Sequence, residues 1–202
     1  MMAQASAAGR RAPGGDAGGG GPAPGVGGRI PRIVLPDARD DARIEVGRRG
    51  REALALVLLP DGGEEAIAYT RALAEAAPGF RIWDGRAVVV LAHGVRADPF
   101  VAEVADSPVA LALDPGGGAA RSLGVEPSGP GRAAGGGAGR RTADGAALFI
   151  ADRWGQLYHV QRSTRVEELA TPAEIEEWFR FLSMQCPECG VPDVPGIGVG
   201  EP

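Results

Sequence analysis

The sequence predicts an α/β sandwich on a central mixed sheet with helices on both faces. Two observations lead there. Four short runs, 54–59, 87–92, 109–113 and 147–150, are continuously apolar, as in strands covered on both sides. Helical stretches separate the first three, and the fourth is followed by a turn, a returning strand and an amphipathic helix.

The elements can be justified in order. Residues 30–35 read as a short strand broken by Pro36, and 43–46 as another. The run 54–59 ends at Pro60. After the loop Pro60-Asp61-Gly62-Gly63, Glu64 and Glu65 open a helix, where two acids complement the helix dipole. Ala66, Tyr69, Leu73 and Ala76 give it one apolar face, and Pro78-Gly79 should stop it. Asp98-Pro99 reads as an N-cap with proline at the first helical position, ahead of Phe100, Val101 and Val104. Asp114-Pro115 opens a short helix whose Ala119, Ala120 and Leu123 face inward, closed by Gly124. Asp152-Arg153-Trp154-Gly155 is a turn, and 156–161 returns as an antiparallel strand. Thr171-Pro172-Ala173-Glu174 is a capping box, followed by Ile175, Trp178, Phe179 and Leu182 at i, i+3, i+4 and i+7. Trp178 and Phe179 are expected to pack on the sheet. Trp83 and Trp154 are expected to be packing residues too, Trp154 the most exposed.

One domain over 29–184 accounts for these elements. Residues 1–28, rich in Ala, Gly and Pro, read as a disordered tail, 126–145 as a flexible insertion, and 185–202 as a C-terminal tail. The first segment lacks the apolar core of a secretory signal, and Arg10-Arg11 precedes no apolar stretch, so a cytoplasmic protein is expected. No apolar run approaches the roughly 18 residues of a membrane span. All 21 basic residues are Arg, which excludes a Schiff-base or P-loop lysine. A net charge of −5 gives no general reason to bind nucleic acid or anionic membrane. Arg48-Arg49 and Arg140-Arg141 read as solvated loop charges.

Strand–helix units followed by a hairpin and a closing helix describe a thioredoxin-like three-layer sandwich. Within it, Val34-Leu35-Pro36-Asp37, the strand ending at Pro60, the stretch from Pro108 through Asp114 to Gly124-Val125, and Leu148-Phe149-Ile150-Ala151-Asp152-Arg153-Trp154-Gly155 together resemble the redoxin family. That family includes the peroxiredoxins, also called the alkyl hydroperoxide reductase/thiol-specific antioxidant group. The resemblance covers roughly residues 30–184 and rests on order and spacing. It implies antioxidant or thiol–disulfide oxidoreductase activity, with a protein thiol or disulfide as partner.

The resemblance also implies a reactive cysteine between the strand 54–59 and the next helix, where the helix N-terminus would stabilise a thiolate. Here that loop carries Asp61 and two glycines, and a carboxylate cannot replace a thiolate in attacking peroxide. The family's threonine in that loop is absent too. Its arginine before the later strand has no match, because Ala146 stands before Ala147. Peroxidase chemistry at the standard site is therefore not expected.

The two cysteines of the chain lie together in Cys186-Pro187-Glu188-Cys189-Gly190. Three readings stand: a redox pair, half of a zinc knuckle, or two reduced thiols in a turn. The pair follows a helix, whose C-terminal end disfavours a thiolate, and Glu188 adds to that. A zinc site would need His93, His159 or a second subunit to complete it; no other cofactor is expected. The rival reading is a catalytically silent thioredoxin-fold interaction module, a homodimer or a chain tied by zinc at its tail. His93 and His159 otherwise read as structural or surface residues. Gly196-Ile197-Gly198-Val199-Gly200 lacks the flanking strand and helix of a dinucleotide loop.

Overall fold

The structure is a computed structural model that describes residues 23–40, 42–47, 50–125 and 145–185. Strands β1 (Ile33–Pro36) and β2 (Arg43–Val46) form an antiparallel hairpin of their own. Strand β3 (Ala53–Leu59) leads through α1 (Glu64–Ile82) to β4 (Gly85–Ala92), then through α2 (Asp98–Val104) to β5 (Ala110–Asp114). After α3 (Gly118–Ser122) come β6 (Ala146–Ala151), β7 (Leu157–Ser163), a 3-10 turn (Val166–Glu168) and α4 (Pro172–Ser183). The five-stranded sheet has the order β5-β4-β3-β6-β7. β3, β4 and β5 are parallel, whereas β6 is antiparallel to β3 and β7 to β6.

The apolar runs become the sheet because both of its faces are covered. Ala55, Val57 and Leu59 of β3 face α1, α2 and α4, together with Leu73, Phe80, Phe100 and Phe179. Leu54, Leu56 and Leu58 face the opposite layer, where Leu35, Ile44 and Val46 of the hairpin join Ala119, Ala120 and Leu123 around α3. Every residue of β3 and of β6 is buried. Helices lie on both faces, but the second layer is mostly hairpin.

Four local expectations need correction. Residues 30–35 are not one strand: pairing starts at Ile33 and carries through Pro36, which sits opposite Arg43. Proline is tolerated there because the next bond across the ribbon is made by the Asp37 N–H, which donates to the Ala42 carbonyl at 3.0 Å. Helix α1 does not stop at Pro78 but runs on to Ile82. Burying Phe80 is worth about 1.5–3 kcal/mol, which offsets much of the roughly 3 kcal/mol cost of an interior proline. Trp83 is the C-cap of the helix, and Asp84, in a left-handed conformation (φ 51°), turns the chain into β4. The buried face of α1 is Ala66, Thr70, Leu73, Ala77 and Phe80, with Tyr69 and Ala76 only partly covered. Asp98 does not cap α2: the cap position is Ala97, and the Asp98 carboxylate lies 3.3 Å from Arg96 instead.

The last helix carries the capping box read from sequence, with Glu174 N–H donating to Thr171 Oγ1 and Thr171 N–H to Glu174 Oε2. Its buried face is Ile175, Phe179 and Leu182. Trp178 flanks this face and is only half-buried, because it lies over β7 at the sheet margin. Trp83 and Trp154 are half-buried as well, Trp154 beneath the Arg153 guanidinium at 5.2 Å.

Residues 23–28, counted with the tail on composition, lie against the start of β7. Gly27 N–H donates to the Leu157 carbonyl and Leu157 N–H to the Gly28 carbonyl, each at 2.8 Å. Arg162 of β7 holds the same segment by donating to the Pro24 carbonyl at 3.1 Å and to the Leu123 carbonyl at 2.9 Å.

Candidate functional site

The loop between β3 and α1 lies at the end of the central strand, and Glu64 and Glu65 of the first turn of α1 are exposed. Asp61 is exposed, and its Oδ1 accepts the Gly63 N–H at 2.9 Å. Gly63 is the N-cap, with no side chain to cap the helix, and Glu64 and Glu65 stand in the first turn. The wall beside the loop is apolar: a Cβ on Gly62 would sit 3.4 Å from Val95 and 3.8 Å from Phe100, in ordinary contact. The backbone thus offers a helix N-terminus with room for a side chain. The chain places glycine and carboxylates there, and no nucleophile.

Cys186 and Cys189 lie outside the described residues, but the point from which their tail departs is fixed. Tyr158 Oη and Gln185 Oε1 are 2.9 Å apart, and Gln185 N–H donates to the Leu182 carbonyl at the end of α4. Tyr158 follows Leu157, which pairs with Ala151, which in turn pairs with Leu54. Leu54 and Pro60 are at opposite ends of β3, about 20 Å apart at 3.3 Å per residue. The tail therefore starts from the end of the sheet opposite the loop.

The two histidines are not brought together. His93 is exposed just beyond β4, on the loop side. His159 is on β7, three strands away, or roughly 14 Å at the usual strand spacing. Among the described residues no group of three or more His, Cys, Asp or Glu side chains could hold a metal ion. None of the described helices is long and apolar enough to cross a membrane.

Sequence reasoning missed a second feature. His159 and Gln161 of β7 form the floor of a groove of about 610 Å³. Glu168, Leu169 and Ala170 form one wall, and Glu174, Glu177, Trp178 and Phe181 of α4 the other. Gln161 fixes the first wall by accepting the Ala170 N–H at 2.8 Å, and Tyr69 Oη donates to the Ala170 carbonyl at 2.6 Å. Burial pushes the Tyr69 phenol well above its ordinary range. Trp178 stacks at a tilt on His159 (5.4 Å) and edge-on against Phe181 (6.0 Å). His159 Nε2 is buried without a hydrogen-bond partner. The Glu174 carboxyl is held below its ordinary range, chiefly by the Thr171 N–H and then by the Thr171 hydroxyl. Three separate segments build this groove, so the chain's linear order does not show it, and Trp178 was expected only as a packing residue.

No protein-family profile matches the chain, and no curated protein matches it in sequence. Solved structures do match in shape. A peroxiredoxin-like protein from Aquifex aeolicus aligns with a TM-score of 0.62 at 22% identity, over 81% of this chain and 90% of that one. AhpC from Mycobacterium tuberculosis aligns at 0.57 and 14%, over 82% and 98%. The thioredoxin domain of a thiol-disulfide oxidoreductase from Bacteroides vulgatus aligns at 0.54 and 11%, over 79% and 99%. At these identities the likeness is one of fold: the chain has the α/β thioredoxin-like fold shared by peroxiredoxin-like proteins and thiol-disulfide oxidoreductases.

Proposed function

We propose that this chain is a redoxin-type protein that has lost the peroxide-reducing site of its fold and keeps thiol–disulfide exchange only at Cys186 and Cys189. The observation that carries the reading is the loop Pro60–Gly63, where the helix N-terminus is present and the thiol is not. Because the tail leaves from the opposite end of the sheet, its two cysteines would work as a self-contained pair. One thiolate attacks a partner protein's disulfide and releases one partner thiolate. The second cysteine then attacks the mixed disulfide, freeing the other. One disulfide forms here as one is broken there, and the two protons lost from Cys186 and Cys189 pass to the partner's sulfurs or to solvent.

A second reading is favoured by Asp61, which occupies the Gly63 N–H with its own carboxylate. A carboxylate held in the loop beside the helix N-terminus, where a reactive thiol would have to stand, suits a catalytically silent interaction module, with Cys186 and Cys189 tied by zinc. Thiol titration of the full chain under oxidising and reducing conditions, with zinc measured on the same sample, separates the two. Reversible loss of both thiols without bound metal supports the redox pair. Stoichiometric zinc with no disulfide supports the silent module. Under either reading, stopped-flow mixing with hydrogen peroxide shows no fast turnover with a thioredoxin reductant; peroxidase-level turnover would sink both.

A further inference from the structure

The groove between β7 and α4 carries a separate function that needs no thiol. We infer that it is a docking site for an extended polypeptide of a partner protein that places an arginine side chain over Trp178 and Phe181. Charge supports the choice of arginine. Glu168, Glu174 and Glu177 border the groove; among the described residues Arg180 lies 3.4 Å from Glu177 on the exposed side of α4, Arg165 acts on Glu168 from farther off, and Ser163 and Thr171 donate to Glu168 and Glu174, which leaves the border net negative. The aromatic pair supplies what a guanidinium uses besides carboxylates, since it stacks on ring faces while donating in its own plane. Phe181 is 47% exposed, large for a phenylalanine in a folded domain, and Met184 extends the apolar surface beyond it at 67%.

The polypeptide follows from the strand that forms the floor. β7 is the outer strand of the sheet. Its first residue is already paired to the 27–28 segment, which shows that this margin accepts an added chain. Among the described residues, no main-chain hydrogen bond from another segment reaches β7 from Tyr158 to Arg162 beyond its pairing with β6. An unpaired margin beside a side-chain pocket is the arrangement by which extended peptides are recognised: backbone bonds give affinity and the pocket gives specificity. The unpartnered His159 Nε2 lies beneath Trp178, so a bound donor reaches it only as the indole shifts. Binding should therefore be visible in Trp178 fluorescence.

The probe is a blocked seven-residue peptide, Val-Thr-Val-Arg-Val-Thr-Gly, titrated against the full chain, beside the same peptide with citrulline for arginine. The expected result is saturable change in emission that is lost in Trp178→Phe, with the citrulline peptide at least about tenfold weaker. Glu177→Arg should weaken the arginine peptide about tenfold or more and Asp106→Arg, on the turn after α2, should not. Raising salt should weaken the arginine peptide alone. Because Trp178→Phe keeps an aromatic ring, its loss of signal is read together with calorimetry, in which binding persists. Equal binding of both peptides overturns the inference. So does free arginine binding as tightly as the peptide, or self-association through β7 that Glu177→Arg abolishes while the peptide fails to bind.

Discussion

The Ser107 hydroxyl donates to the Ala74 carbonyl at 3.3 Å, joining the turn after α2 to the middle of α1. Ala74 is the residue whose carbonyl would have accepted the N–H of residue 78, and proline has none. The bond thus repairs the gap that Pro78 leaves and lets the helix continue to Phe80. Ser107→Ala should cost about 1 kcal/mol, the usual net value of one intramolecular hydrogen bond. In a Pro78→Ala background the helix supplies its own donor, so the same substitution should cost measurably less. Urea melts of the four combinations decide it; equal costs in both backgrounds would show that Ser107 is not acting through the Pro78 gap.

Gly85 and Phe179 set the spacing between sheet and last helix. A Cβ on Gly85 would fall 2.4 Å from the Phe179 ring, which is fully buried and stacked edge-on against Phe80 at 5.2 Å. Gly85→Ala should destabilise by about 1–3 kcal/mol through overpacking. Phe179→Ala should cost about 3–5 kcal/mol through lost burial and a cavity. Trp178→Ala should cost less than Phe179→Ala, because Trp178 is only half-buried. Combining Gly85→Ala with Phe179→Leu should recover part of the first loss; a fully additive double variant would contradict the proposed clash.

How much of this was legible in the chain follows from which interactions are local. The strands at 54–59 and 147–150 could be read because every residue there is buried and apolar. The last helix could be read because Thr171 and Glu174 satisfy each other three residues apart. The continuation of α1 past Pro78 depends on Ser107, 33 residues from its acceptor, and on Phe179 across the core, so no window around Pro78 shows it. The empty loop at 60–63 was visible as a missing residue type. The groove was not, because His159, Glu168 and Trp178 look unrelated until β7, the 3-10 turn and α4 meet.

Acid should loosen the hairpin first. Asp37 is buried and takes a two-pronged ion pair from Arg39, with Nε–Oδ1 at 3.1 Å and Nη2–Oδ2 at 2.9 Å. The same stretch bridges to β5, where Ala38 N–H donates to the Leu111 carbonyl at 2.8 Å. The Arg39 side-chain hydrogen bond is the main reason the Asp37 carboxyl is held below its ordinary value. A depressed carboxyl contributes stability above its unfolded value, near 3.9, and loses it as pH falls through the lower folded value. Asp37→Asn should therefore be less stable than the parent at pH 7, and the difference should shrink below about pH 4. A difference independent of pH from 7 to 2 would show that the charge of Asp37 does not matter.

The thiols should label slowly. Helix α4 ends at Ser183 with Met184 as its C-cap, so the negative end of its dipole faces the start of the tail. The one basic residue of its last turn, Arg180, is already paired with Glu177 at 3.4 Å. Glu188 lies between the two cysteines. A thiolate formed next to these groups gains no local stabilisation, whereas one at the α1 N-terminus would have faced free N–H groups. Iodoacetamide labelling of Cys186 and Cys189, followed from pH 5 to 10, should have its midpoint at or above about 8.5, the value of a free cysteine. Glu188→Gln should move that midpoint down by a few tenths of a pH unit, because it removes one nearby negative charge. Thiol–disulfide exchange near neutral pH would then be slow, limited by the small thiolate fraction. A midpoint well below about 7 would mean that cationic neighbours activate the pair, and the tail would be a strong redox centre rather than a weak one.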